Sequence, residues 1–235
     1  MKFQFLHIEK TAGMSLHAML HRDCFLYISA NPRNVWDPDK KKWPLRDFSN
    51  GGHSIKRSER FEYQFTVLRD PVDRYISHYN WRTQVMGHAW TLEDFFSIER
   101  FRNFQWKKLS YYTGSEDIES VLAAFSLVGI FEEIEMTLGF LCRDLGITPE
   151  LYQENRKTYD LSIRRSDLSD RQLSAAIENN RFDVQIYEQA LSRLIKLGSP
   201  NVSIVKTGRV PNKVRFKQKA FNVLARVSQG VFWNR

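Results

Sequence analysis

The chain opens on a nearly unbroken apolar run, Phe3-Gln4-Phe5-Leu6-His7-Ile8, the pattern of a strand buried on both faces of a parallel sheet. Helical spacing begins at Leu16, Met19 and Leu20, so a short polar, small-residue segment joins strand to helix. Residues 21–52 show no clear period and carry Pro32, Pro38 and Pro44. A second unit follows. Tyr63-Gln64-Phe65-Thr66-Val67-Leu68 reads as a strand, with Arg69 at its C-terminal end. Asp70-Pro71-Val72-Asp73 then opens a helix, with Asp70 as N-cap, Pro71 at the first helical position and Asp73 as the capping-box acceptor. Val72, Ile76, Tyr79 and Thr83 recur at helical spacing and predict the face turned to the sheet.

Further along, Thr91 with Asp94 predicts another capped start, and Ser115 is the expected cap of a helix over residues 116–125. Val128-Gly129-Ile130-Phe131-Glu132 reads as a strand. Ile134, Leu138, Leu141 and Leu145 stripe a helix that should stop at Gly146. Ser169 with Gln172 opens a long helix expected to run unbroken to about Leu197, its apolar set from Leu173 to Leu194 facing the core. Strands alternating with helices predict an α/β fold around a central, mostly parallel sheet, with a helical C-terminal portion.

With 42% hydrophobic and 26% charged residues, the 235-residue chain has the composition of a folded domain. No stretch approaches the roughly 20 apolar residues of a membrane span, and no signal-peptide layout is present. The two cysteines, Cys24 and Cys142, have neither metal nor redox spacing and suit a reducing compartment. A cytoplasmic location is therefore expected. The net charge of +8 is uneven: Lys206, Arg209, Lys213, Arg215, Lys217, Lys219, Arg226 and Arg235 are basic, and residues 206–235 contain no acid. The division expected is one α/β domain over residues 1–205 and a basic tail over 206–235. Phe221, Leu224, Val231 and Phe232 give that tail a roughly helical apolar stripe, suited to peripheral contact with an anionic membrane or to a polyanionic acceptor; a partly ordered terminus is the plainer alternative.

The candidate chemistry starts where the first strand ends. Glu9-Lys10-Thr11-Ala12-Gly13-Met14-Ser15 combines small residues, hydroxyls and one lysine ahead of a helix N-terminus, a layout that turns backbone N–H groups and a positive dipole end toward an anion. Thr11 and Ser15 are expected to add hydroxyl donors. The P-loop pattern places its lysine after two glycines; here Lys10 precedes the sole glycine, Gly13. Arg69 suits a second phosphate, or alternatively the cap carboxylates beside it. Ser77 lies near the same sheet edge, where open α/β sheets bind ligands. In the irregular segment, Trp36 and Trp43 flank Lys40-Lys41-Lys42; they can stack on sugar rings or simply pin a solvated loop. Gly51-Gly52 allow His53 to approach a ligand closely. His17 and His21, four apart, have no evident third ligand, so no metal is expected.

The pair of motifs, Lys-Thr-Ala-Gly-x-Ser after one strand and Leu-Arg-Asp-Pro-Val-Asp-Arg-Tyr-x-Ser-His-Tyr after the next, resembles the carbohydrate sulfotransferases, in particular the heparan and chondroitin uronyl 2-O-sulfotransferases and related bacterial proteins. Asn103-Phe104-Gln105-Trp106-Lys107-Lys108-Leu109-Ser110 resembles that family's Asn-x-Gln-x-x-x-Leu-Ser helix. Asn155-Arg156-Lys157 and Asn180-Arg181-Phe182-Asp183-Val184-Gln185-Ile186-Tyr187 resemble its C-terminal portion. The resemblance implies a P-loop-like three-layer fold and 3′-phosphoadenosine 5′-phosphosulfate (PAPS) as donor, with adenosine 3′,5′-bisphosphate as its product. It implies that Lys10, Thr11, Ala12, Gly13, Met14 and Ser15 hold the 5′-phosphosulfate and Arg69 and Ser77 the 3′-phosphate, with Lys157 added to the donor set. By the same resemblance His53 is the catalytic base and Lys10 a catalytic cation. Trp36, Trp43, Asn103 and Gln105 are candidate contacts for a sugar or glycan acceptor. Two departures stand out: Glu9 replaces a usual proline and brings a carboxylate beside the anion site, and Met14 replaces a usual threonine.

The function expected is sulfuryl transfer from PAPS to an acceptor hydroxyl by in-line displacement, without a metal ion. Two other classes fit parts of the pattern: an atypical P-loop nucleotide kinase, and a non-catalytic binder of acidic polysaccharide. Nucleic acid is not an expected partner, because the body of the chain without the tail is neutral, with 27 basic residues (35 less the tail's 8) against 27 acidic.

Overall fold

Six consecutive buried residues, Tyr63–Leu68, form the strand β3 at the centre of a parallel sheet. The computed structural model describes residues 3–11, 16, 28–29, 62–146, 150–152, 162–200 and 205–207. Among them, β1 (Phe3–Leu6) and β4 (Leu127–Ile130) flank β3, and the two-residue β2 (Ile28–Ser29) adds to the far side of β1. Every pairing in this sheet is parallel, with Leu6 opposite Thr66 and Leu68 opposite Ile130. Parallel neighbours need crossovers, so the C-terminal ends of β1 and β3 open side by side on one edge. The class is α/β, as the alternation of patterns predicts.

Seven α-helices are described: α1 (Pro71–Gln84), α2 (Leu92–Ser97), α3 (Phe104–Thr113), α4 (Ile118–Ala123), α5 (Ile134–Leu145), α6 (Asp170–Asn179) and α7 (Arg181–Lys196). Their starts follow local capping. Asp70 accepts from the Asp73 N–H at 2.9 Å, and reciprocal boxes close at Thr91/Asp94 and Ser169/Gln172. The Asp70 N–H donates to Glu132 Oε1 (3.0 Å), so the expected box at α1 is half made. Gly146 ends α5 in the left-handed region, φ +64°. A short parallel pair, β5 (Glu150–Tyr152) with β6 (Val205–Thr207), lies outside the main sheet. β6 runs across the division expected between residues 205 and 206. None of the helices among the described residues is long and apolar enough to cross a membrane.

One core fills the space between the sheet and α3, α4, α5 and α7, with Phe5, Phe65, Leu109, Leu138, Phe140 and Ile186 fully buried or nearly so. A second joins α1, α2 and α6 through Val72, Tyr75, Ile76, Phe95, Phe96 and Ala176. The Val72/Ile76/Tyr79 stripe thus packs on the ring-rich segment 92–101 rather than on the sheet, because Phe95, Phe96 and Phe101 offer it a large apolar surface.

Three further local expectations give way to tertiary structure. The first strand ends at Leu6 rather than Ile8 because the chain turns at Glu9 and Lys10. Asp117, not Ser115, caps α4, its carboxylate accepting from the Ser120 N–H at 2.8 Å, while Ser115 Oγ accepts from the Asp117 N–H. The long C-terminal helix is two helices broken at Asn180.

Candidate functional site

Beyond β1 the backbone bends sharply, and Lys10 takes φ +73°. A side-chain-bearing residue there carries strain on the order of 1–2 kcal/mol, so neighbouring contacts must hold it. One such contact is local: the buried Thr11 hydroxyl donates to the Ile8 carbonyl at 2.8 Å. That hydrogen is therefore engaged within the turn, and the donor hydroxyl expected of Thr11 acts as a loop closure. Lys10 is half-buried with its ammonium 5.9 Å from the Trp81 ring centroid. Burial, and then the Arg69 charge, hold its pKa below the usual lysine value.

Arg69 stands at the end of β3. Its guanidinium Nη1 donates to the Lys10 carbonyl at 3.3 Å and lies over the Phe131 ring, 4.9 Å from the centroid. Buried Nε has no hydrogen-bond partner. The cap carboxylate leaves Arg69 aside: Asp70 pairs with Arg165 at 3.1 Å instead. Ser77 lies two turns into α1 and is half-buried. Two cations on adjacent strand ends thus meet in one place, and the Arg69 charge works against that of Lys10.

Glu9 is compensated. Lys108 of α3, its side chain 7% exposed, places its ammonium 2.5 Å from the Glu9 carboxylate. Burial works against the Glu9 charge, but the Lys108 ammonium, with smaller help from His7 and the backbone, holds the pKa below the usual carboxylate range. The carboxylate that should repel an anion is thereby neutralised by a partner three positions after Gln105, on the same helix face. The helical spacing 105/108/112 places these three side chains on one face, but nothing in it points to Glu9.

Gln105 and Asn103 both make framework contacts. The fully buried Gln105 amide accepts from the Arg69 N–H (3.0 Å) and donates to the Arg69 carbonyl (2.9 Å), fixing the backbone that carries the guanidinium. Asn103 Oδ1 accepts from the N–H groups of Phe182 (2.9 Å) and Asp183 (3.4 Å), capping α7 from another element. In return the buried Asp183 carboxylate accepts from the N–H groups of Gln105 (3.2 Å) and Trp106 (2.7 Å), capping α3. Two helix N-termini therefore cap each other, which is why the helical register breaks at Asn180. Arg74, wholly buried on α1, lies within electrostatic reach of Asp183 and donates to the Phe101 carbonyl at 3.3 Å. Arg74 and Asp183 both lie in stretches quoted for the family resemblance, but no local pattern pairs residues so far apart in the chain, so their framework roles were not legible in the sequence.

His78, beside Ser77, is buried among Phe95, Phe101 and Phe104 and accepts from Arg82 Nε at 3.2 Å. Burial first, then the Arg74 and Arg82 charges, push its pKa down to about 3, and burial takes His7 to about 4. Both values lie below the unfolded value, so on acidification the unfolded chain takes up protons first. Their contribution is whole above about pH 6.5 and falls by about 1.4 kcal/mol per pH unit for each group. Urea midpoints of a His78→Phe variant should accordingly fall less steeply between pH 6.5 and 4 than those of the parent; parallel slopes would mean His78 is charged in the folded state.

Ala12, Gly13, Met14, Ser15, Trp36, Trp43, His53 and Lys157 lie outside the described residues, as do His17, His21 and residues 208–235. Among the described residues no group of three or more His, Cys, Asp or Glu is placed to hold a metal ion. Neither the protein-family models nor the curated proteins compared with the chain give a match.

Proposed function

We propose that the protein is a PAPS-dependent sulfotransferase that moves a sulfuryl group to a hydroxyl of a carbohydrate or glycan-like acceptor. The observation that carries this reading is the meeting of Lys10 and Arg69 at the C-terminal ends of adjacent parallel strands, with Arg69 Nη1 on the Lys10 carbonyl and Nε unpartnered. A donor with phosphate at both ends of one nucleoside is the ligand two such cations suit. In this reading the β1 loop is a P-loop-like cradle within a three-layer fold, and the low cysteine content is in keeping with a cytoplasmic enzyme.

The chemistry follows from the residues. His53 takes the proton of the acceptor hydroxyl as its oxygen bonds to sulfur. The bond from sulfur to the bridging phosphate oxygen breaks in line, and Lys10 with the N–H groups of its loop stabilises the charge that collects there. Arg69 and Ser77 hold the 3′-phosphate and act on binding alone.

Calorimetry with adenosine 3′,5′-bisphosphate against ATP–Mg²⁺ tests this. Metal-independent binding of the bisphosphate is expected. Preference for ATP–Mg²⁺ would favour a nucleotide kinase, and no heat with either would favour a non-catalytic polyanion binder.

A further inference from the structure

We propose that Glu9 and Lys108 form a latch that positions Lys10 for its anion, making Glu9 a positioning residue of the site although its charge has the wrong sign for one. This rests on the reading of Lys10 and Arg69 as the donor's anion site.

One face of α3 ties the two strand ends together. Tyr112 donates to Gln64 Oε1 of β3 at 2.6 Å, Gln105 clamps the Arg69 backbone, and Lys108 reaches across to Glu9. The helix itself is held at its N-terminus by Asp183. Lys108 is thus the link from this strut to the β1 loop. Its ammonium also sits 5.0 Å from the Phe104 ring centroid and is buried, so letting go of Glu9 would leave a cation in an apolar place. Lys10 follows Glu9 directly and holds a left-handed conformation that the chain would leave if released. The pair therefore converts a carboxylate into a tether and cancels its field at the same time.

The sign of the effect separates a latch from a bystander. If Glu9 were only a nearby negative charge, Glu9→Gln would strengthen binding of adenosine 3′,5′-bisphosphate. A latch predicts the reverse, a loss of about tenfold, the size of one modest contact. Lys108→Met should lose more, because the freed carboxylate can then pair with Lys10 itself. The charge reversal Glu9→Lys with Lys108→Glu should recover most of the loss, which a packing defect would not. Unchanged or tighter binding by Glu9→Gln, with circular dichroism showing it folded, overturns the latch.

A second measurement needs no nucleotide: the titration of Lys10 followed by NMR on ¹³C-methylated lysines. Arg69 at the end of β3 and His78 on α1 face Lys10, with Glu9 and Lys108 beside it. Released from its half-buried position and from Arg69, Lys10 in Glu9→Gln should titrate nearer the ordinary lysine value. Mere loss of a carboxylate would move it further down, and that result, or no change, also overturns the latch. If the parent protein binds no bisphosphate, the donor reading fails while this titration still decides the latch.

Discussion

Asp183→Ala should lower the free energy of unfolding by about 3–5 kcal/mol, the range for removing one partner from a buried charged network. The carboxylate caps two N–H groups of α3 and compensates Arg74, which is wholly buried and has its Nε and Nη1 without hydrogen-bond partners. Alanine would leave both amides unanswered in the interior and take from Arg74 the nearby negative charge with the largest effect on it, leaving the guanidinium its Phe101 carbonyl. Asp183→Asn makes the comparison informative. Burial raises the Asp183 pKa despite the nearby Arg74 charge and the two amide donors, so its ionised form carries a cost at neutral pH. The sign is that of a raised acid: the cost is present above the folded pKa and is relieved as pH falls through it. Asparagine removes this cost but turns an NH₂ toward one of the amides, so its loss should be smaller, about 1–3 kcal/mol. Equal and negligible losses in urea titrations of both variants would show that α3 and α7 do not depend on this exchange. Because the same helix carries Gln105 and Lys108, both variants should also weaken nucleotide binding at temperatures where they remain folded.

How much of this could be read from residue order depends on the range of the interaction concerned. β3 was legible to the residue, since its aromatic and β-branched run is bounded by the charged Glu62 before it and by Arg69-Asp70-Pro71 after it. The starts of α1, α2 and α6 were legible because Asp70-Pro71, Thr91/Asp94 and Ser169/Gln172 act within one turn. The break at Asn180 was not, because the apolar stripe continues from Ile177 through Ile186 and the interrupting group, Asn103, comes from far away in sequence. Ser115 and Asp117 are both good caps two residues apart, and local chemistry alone does not choose between them. The site divides in the same way. Lys10 and Arg69 were identifiable because each follows a strand. Glu9 stood out as a departure, but its neutralisation depends on Lys108 across a crossover. Motif likeness singled out Asn103 and Gln105 as acceptor contacts, and their hydrogen bonds to the backbones of Arg69 and Phe182 depend on distant parts of the chain that residue order alone does not reveal.

Lys10→Ala and His53→Ala should each cost at least about a hundredfold in kcat, and they should differ in what else they change. His53 is proposed to carry the acceptor proton only, so His53→Ala should lower turnover by about 10²–10⁴-fold, flatten the acid limb of the pH–rate profile, and leave affinity for adenosine 3′,5′-bisphosphate intact. Lys10 is proposed to act on charge that exists in the bound donor and grows as the phosphate leaves. Lys10→Ala should therefore weaken the bisphosphate and, separately, lower kcat by about 10²–10³-fold, as expected for one lost stabiliser of developing negative charge. Arg69→Ala supplies the contrast. Its guanidinium leans on the Lys10 carbonyl and is assigned to the end of the donor remote from the reacting sulfur, so affinity should fall with little change in kcat at saturation. Steady-state kinetics at saturating donor, with calorimetry on the same preparations, separates the three patterns. Full turnover by His53→Ala would remove the proposed base. A kcat loss in Arg69→Ala as deep as that in Lys10→Ala would mean that both cations attend the same phosphate, and that the span between two anion sites, on which the choice of donor rests, is absent.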